Sequence, residues 1–131
     1  MSFFIGIYFI IHKLKSMKLN YSNTKNLPFL EQGVIKLHPF AGEKLMFLRA
    51  VLPKGSIAAK HSHPHEQMTY VASGKVVVRM GGDEVILSEG WIVNFPSNVE
   101  HEVEALSDTI LLDMFTPLRE DLIEKIAHQK K

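Results

Sequence analysis

The sequence predicts an all-β chain that closes into a barrel or jelly roll and ends in one short α-helix. Two observations carry that expectation. From about Gly33 onward, short apolar runs alternate with turn residues at regular spacing, the pattern of many short strands. After Pro117 the period changes, and Leu118, Leu122, Ile123 and Ile126 recur at helical intervals with charges between them. A closed barrel removes exposed sheet edges and offers a ligand site at its mouth. A length of 131 residues, 46% hydrophobic and 22% charged, suits one globular domain.

Residues 1–16 stand apart from that pattern. Phe3 to Ile11 is a nearly unbroken apolar run, followed by His12, Lys13 and Lys15. It falls short of the about 20 apolar residues a spanning helix needs. It also lacks the order of a signal peptide, with charge before the apolar part and small residues after it. These residues are expected to be an upstream extension, with Met17 opening a single domain over 17–131. The alternative is an extra strand or helix that covers an apolar surface, on this subunit or a second one.

Within the domain, residues 34–37 and 45–52 are the first expected strands, the second ended by Pro53-Lys54-Gly55. Residues 67–72 and 75–80 flank Ser73-Gly74. Gly81-Gly82 suits a two-residue hairpin turn, whose central positions need positive φ. Residues 84–87 lead to the turn Ser88-Glu89-Gly90, and 91–95, 101–105 and 109–115 complete the strands. Thr116 is a plausible N-cap with Pro117 at the first helical position, so a helix is expected over 117–128. Its apolar stripe would dock on the outside of the barrel.

Charge and cysteine content exclude several function classes. A net charge of +1 with scattered basic residues gives no footprint for nucleic acid. No cysteine is present, which excludes disulfides, zinc fingers and iron–sulfur clusters and fits a reducing, cytoplasmic setting. Any metal must be held by His, carboxylate or amide.

The stretch His61-Ser62-His63-Pro64-His65-Glu66-Gln67 offers such donors. In a strand, residues two apart share a face, so His61 and His63 can present two imidazoles to one point. Neutral imidazole is a ligand for zinc, copper, iron and nickel, and a third donor follows within one loop. His65 and Glu66 are expected to face solvent or to orient the ligands. His12, His38 and His128 are expected in surface or packing roles, and Trp91, Phe95 and Met80 in the core.

Gly55, His61, His63, Gln67 and Gly74 follow the spacing of the first cupin motif, and Gly90, Pro96, Asn98 and His101 resemble the second. Over residues 33–120 the chain resembles a single-domain, RmlC-like cupin. Three positions depart from the common pattern: Gln67 stands where glutamate is usual, Asn98 replaces a turn glycine, and Ala105 replaces a closing asparagine. Asn tolerates left-handed backbone better than most residues. The resemblance implies a divalent transition metal (Zn, Fe, Ni or Mn) on His61, His63 and His101. Gln67 would be a fourth ligand or a hydrogen-bonding neighbour, the ligand role being favoured. Three imidazoles and an amide leave the ion's charge uncompensated, which attracts an anionic substrate group or acidifies bound water. Open coordination positions are implied as well.

Alternation along 109–115 puts Leu111, Asp113 and Phe115 on one face. If that face is interior, Asp113 is a carboxylate in an apolar surround and a candidate for acid–base work. The alternative is a structural pair with backbone or with Arg119. This segment and the HSHPHEQ stretch together are similar to small cupins of the pectin degradation protein type. That likeness implies functional roles for Asp113, Phe115 and Arg119. It also implies conversion of unsaturated uronates into open-chain keto-deoxy-uronates. Thr69, two residues past Gln67, shares its side; a longer polar side chain there would strengthen the likeness.

The leading expectation is therefore a metal-dependent enzyme acting on a small anionic sugar derivative. An iron-dependent dioxygenase and a non-enzymatic small-molecule-binding cupin are the alternatives. Apolar residues on outer strand faces also predict a homodimer.

Overall fold

A computed structural model describes residues 18–129; the expected extension at 1–16 lies outside the described residues. Alternation builds the wall most plainly in the strand Met46–Leu52, where Met46, Leu48, Ala50 and Leu52 are buried and Phe47, Arg49 and Val51 only half-buried. Strand side chains point to opposite faces in turn, so one face of such a strand is core and the other is surface.

Ten strands repeat this logic. They are β1 (Leu30–Gln32), β2 (Ile35–Ala41), β3 (Met46–Leu52), β4 (Ile57–His61), β5 (Glu66–Ser73), β6 (Lys75–Met80), β7 (Asp83–Ser88), β8 (Ile92–Phe95), β9 (His101–Ala105) and β10 (Thr109–Thr116). They form a six-stranded sheet ordered β1-β2-β3-β10-β5-β8 and a four-stranded sheet ordered β4-β9-β6-β7. All pairings are antiparallel. Leu48, Leu52, Val71, Val78, Val103 and Phe115 meet between the sheets in one core.

The expected all-β architecture is present, and the turns that set its register use the anticipated residues. Gly81 and Gly82 sit at φ 59° and 85°, so Met80 pairs directly with Asp83. Gly74 has φ 92°, and a Cβ added there would collide with Thr109, which fixes where β5 hands over to β6. Two strands went unforeseen. β1 is only 3 residues long, and β4 has no fully buried position to signal it.

The helix α1 spans Glu120–Gln129, later than the expected 117–128. β10 runs on through Thr116, whose ladder partner is Glu66, and the Thr116 hydroxyl donates to the Lys44 carbonyl instead of capping a helix. The chain turns away only at Pro117-Leu118. The first helical hydrogen bonds, from the Leu122 and Ile123 amides, close on the Arg119 carbonyl. Nor does the apolar stripe simply decorate the outside. Leu122 is buried in the main core, with Leu118 and Ile126 packed against it, while Ile123 stays exposed. None of the described helices is long and apolar enough to cross a membrane.

Candidate active site

Strand pairing, not sequence proximity, assembles the histidines. His61 is the last residue of β4 and lies directly across the ladder from His101, the first residue of β9, beyond a register shift after Ala58. Their ring centroids are 4.7 Å apart. His63 was expected on the same strand face as His61, but β4 ends at His61 and His63 sits in the following loop. It still converges, with ring centroids 5.5 Å from His61 and 5.3 Å from His101. What holds it is the turn before β9. The Asn98 amide donates to the His63 carbonyl at 2.8 Å, and Asn98 has φ 63°, the left-handed conformation a turn glycine would supply.

Each of these rings is oriented by its Nδ1. His61 bonds the Ala59 carbonyl at 2.8 Å, His63 the His65 carbonyl at 3.0 Å and His101 the Val99 carbonyl at 3.0 Å. A carbonyl only accepts, so Nδ1 carries a hydrogen in His61 and His101, and the neutral His101 ring turns a lone pair outward at Nε2. His63 has an accepting oxygen at each ring nitrogen, and the single proton of its neutral ring serves only one of them. Candidate ligand atoms of the three rings lie within 4.8 Å of one another. The Nε2 of His101 is buried without any hydrogen-bond partner. Burial, reinforced by neighbouring positive charge, holds the pKa of His63 and of His101 below the ordinary 6.5, which keeps both rings neutral. Phe95 stacks on His101 with centroids 4.1 Å apart, and Phe115 meets His63 edge-on.

Gln67 and Asp113 join the site from the other sheet. Gln67 pairs across the ladder with Phe115, and Thr69 with Asp113, so all four point inward as alternate residues of β5 and β10. The Gln67 Oε1 approaches His63 Nε2 at 2.9 Å. Its Nε2 donates to Thr69 Oγ1 at 2.9 Å, and Thr69 donates to Asp113 Oδ1 at 2.6 Å. Burial pushes the Asp113 pKa up to about 6, against the opposing pull of Thr69, Gln67 and Arg119.

Arg119 lies on the segment between β10 and α1, with its guanidinium 5.2 Å from the Phe115 ring centroid. It is not the hydrogen-bonded partner of Asp113. Its Nε and Nη2 donate to the two oxygens of Asp121 at 3.0 and 2.9 Å, which lowers the Asp121 pKa. That fork uses the side edge of the guanidinium and leaves its end-on edge, Nη1 with Nη2, for another carboxylate.

These groups open on one cavity of about 370 Å³ between the sheets. His61, His101, Gln67, Asp113, Arg119 and Lys60 make its polar end, and Leu37, Leu48, Leu52, Val103 and Leu122 its apolar end. Six of the seven expected site residues line it, and the seventh, His63, lies against His101, Gln67 and Phe115. Sequence reasoning missed three contributors: Thr69 as the hydrogen-bond link, Asp121 as the partner of Arg119, and Lys60 at the rim. Asp121 carried a signal, a carboxylate two residues after the arginine. Among the other expectations, His65 orients His63 through its carbonyl, and His38 is buried against the Leu27 carbonyl. Trp91 was expected in the core but is 60% exposed, because it precedes β8 at the sheet edge.

The donor set suits a divalent transition metal. Three imidazoles and an amide oxygen are ligands such ions accept, and the buried His101 Nε2, which has no hydrogen-bond partner, is an atom that a cation would satisfy.

The profile of the cupin domain matches residues 48–115, which contain six of the seven site residues. A pectin degradation protein of Dickeya dadantii, KdgF, is 34% identical over 83 residues, covering 62% of this chain and 76% of that protein. Among solved structures, an RmlC-like cupin from Shewanella frigidimarina superposes with a TM-score of 0.74 at 27% identity, over 79% of this chain and 96% of that one. KdgF from Halomonas sp. gives 0.72 at 26% identity, over 77% and 97%.

Proposed function

Since the chain belongs to the cupin family, we propose that it is a metal-dependent enzyme that isomerises a small unsaturated uronate. One observation carries this reading: two histidines of the three-histidine cluster, a buried acid and a guanidinium with a free edge line the same cavity. The likeness to pectin degradation proteins supports it. His61, His63, His101 and Gln67 would hold the ion, which when bound supplies a Lewis acid for a substrate oxygen.

The residues of the chain divide the remaining work. Arg119 binds the substrate carboxylate through its end-on edge, with Asp121 keeping the fork in place. Asp113, with a pKa of about 6, gains and loses a proton near neutral pH. As the hemiacetal hydroxyl of the uronate loses its proton, the ring C–O bond breaks to leave an aldehyde and an enolate. Protonation of the enolate carbon then gives the ketone. Asp113 accepts the first proton and returns one to carbon, so substrate and product are isomers. Phe115 forms the apolar wall between His63 and Arg119.

The test is loss of alkene absorbance from unsaturated uronates on adding purified protein, with and without prior chelation, in air and without oxygen. Turnover that needs metal and not oxygen supports the proposal. No turnover of any unsaturated uronate by metal-loaded protein sinks it. Metal analysis identifies the ion.

The protein is further proposed to be a homodimer. The outer face of the larger sheet carries Phe47, Met68, Tyr70, Leu112 and Met114 across neighbouring strands. A monomer in sedimentation at micromolar concentration contradicts this.

A further inference from the structure

We propose that Thr69 is a positioning residue that decides which end of the Gln67 amide faces the three imidazoles, a role that rests on the metal centre proposed above. Thr69 is 2% exposed, so its hydroxyl hydrogen must be placed within the protein. It has one hydrogen to give. Asp113, as a carboxylate, has none, and its Oδ1 lies 2.6 Å from Thr69 Oγ1. The hydrogen therefore goes to Asp113, and Thr69 is left as an acceptor toward Gln67. Only the amide nitrogen can satisfy that acceptor, at 2.9 Å. The amide oxygen is thereby turned to His63 Nε2, at 2.9 Å.

In the tautomer that frees Nε2 for a metal, oxygen and nitrogen meet as two acceptors, and rotating the amide by half a turn would relieve that contact. The rotated nitrogen would donate to His63 and obstruct the metal position. Rotation is opposed because the oxygen would then face Thr69 Oγ1, whose only hydrogen is taken. Asp113 and Thr69 together hold the amide in the metal-ready orientation, so the proton donor–acceptor order of one wall presets the ligands of the other. A carboxylate at position 67 would need no such control, since its two oxygens are equivalent. Thr69 thus accompanies the glutamine that replaces the usual glutamate.

The experiment is a double-mutant cycle on zinc(II) affinity, measured at pH 8 by competition with a chromophoric chelator. Thr69→Val is expected to weaken binding about 10–100-fold, the range for residues that orient a ligand. Thr69→Ser, which keeps the hydroxyl, should stay near wild type. In the Gln67→Glu background, Thr69→Val should change affinity little. Equal losses in the two backgrounds would mean that threonine acts by packing, and the role is overturned. Wild-type affinity in Thr69→Val overturns it too. If the wild type binds no zinc(II), cobalt(II) or nickel(II), the metal centre itself falls and this role with it. Should Thr69→Val fail to fold, Thr69→Ala in the same two backgrounds gives the same readings.

Discussion

Strand β9 carries polar groups on both faces, and the two faces follow opposite rules. Outward, Glu102 and Glu104 converge with Glu84 on Arg79, at 3.1, 2.9 and 2.8 Å. There each donor meets an acceptor, charges are matched in sign, and water reaches the group. Inward, His101 joins the exposed His61, the buried His63 and the Gln67 oxygen, and its own buried Nε2 has no hydrogen-bond partner. A buried acceptor without a partner is costly to maintain. The outward cluster is complete within the chain, whereas the inward one leaves the His101 Nε2 without a partner. The comparison teaches that unsatisfied complementarity, more than the density of charge, distinguishes a site from a surface network.

Removing an inward donor should have the largest effect. His101→Ala is expected to lose most bound metal, because it deletes a ligand whose buried Nε2 has no other partner and leaves the Phe95 stack without its mate. Elemental analysis after dialysis measures this. Full occupancy in a His61→Ala/His101→Ala double variant would break the distinction between the faces. Next comes Asp113→Asn. Its amide oxygen can still accept the Thr69 hydrogen, so metal and fold should persist while turnover falls about 10²–10⁴-fold. Turnover equal to wild type would remove Asp113 from the chemistry.

How much of this contrast was legible beforehand depended on the kind of signal. β3, β5 and β9 announce themselves as short runs between turn residues, and Gly81-Gly82 by the positive φ that its turn needs. His61, Gln67 and His101 were legible through spacing that the folded ladder preserves. β4 was not, because Ile57–His61 lies at the mouth and buries too little to show a period. Thr69 was placed on the side of Gln67, but its linking role was not legible, since an inward threonine in a strand is ordinary until Asp113 is found opposite it in the register. Arg119 was recognised, but its grip on Asp121 depends on the helix starting at Glu120 and not at Pro117.

The buried acid sharpens the comparison through pH. In metal-free protein the folded pKa of Asp113, about 6, lies above its ordinary 3.8. The folded state therefore keeps a proton that the unfolded state releases, and this group's contribution to stability falls as pH rises from about 4 to about 6. Asp113→Asn cannot titrate there. Its stability relative to wild type should increase across that window by an amount on the order of 3 kcal/mol. Urea unfolding at both ends of the range measures it, and a constant difference would show that Asp113 titrates normally.

A smaller effect is expected at the rim. Arg119→Lys replaces a planar fork with a point charge, losing the paired contacts to Asp121 and to a substrate carboxylate. The Michaelis constant should rise about tenfold, equivalent to about 1.4 kcal/mol, with a lesser change in kcat. Steady-state kinetics on an accepted uronate decides it, and a fall confined to kcat would assign Arg119 to the chemical step.

The outward network should give the smallest response, and its sign is informative. Glu84→Gln removes one attraction to Arg79 but also the repulsion among Glu84, Glu102 and Glu104, so little net change in melting temperature is expected. Arg79→Met is different, because it leaves three carboxylates crowded around an apolar side chain. It should lower the melting temperature, and added salt should restore part of the loss by screening the repulsion. Neither variant should alter metal affinity, since the Arg79 side chain points away from the cavity that His101 faces. If Arg79→Met weakened metal binding as His101→Ala does, the two faces of β9 would be energetically coupled, and the division between a finished network and an open site would no longer hold.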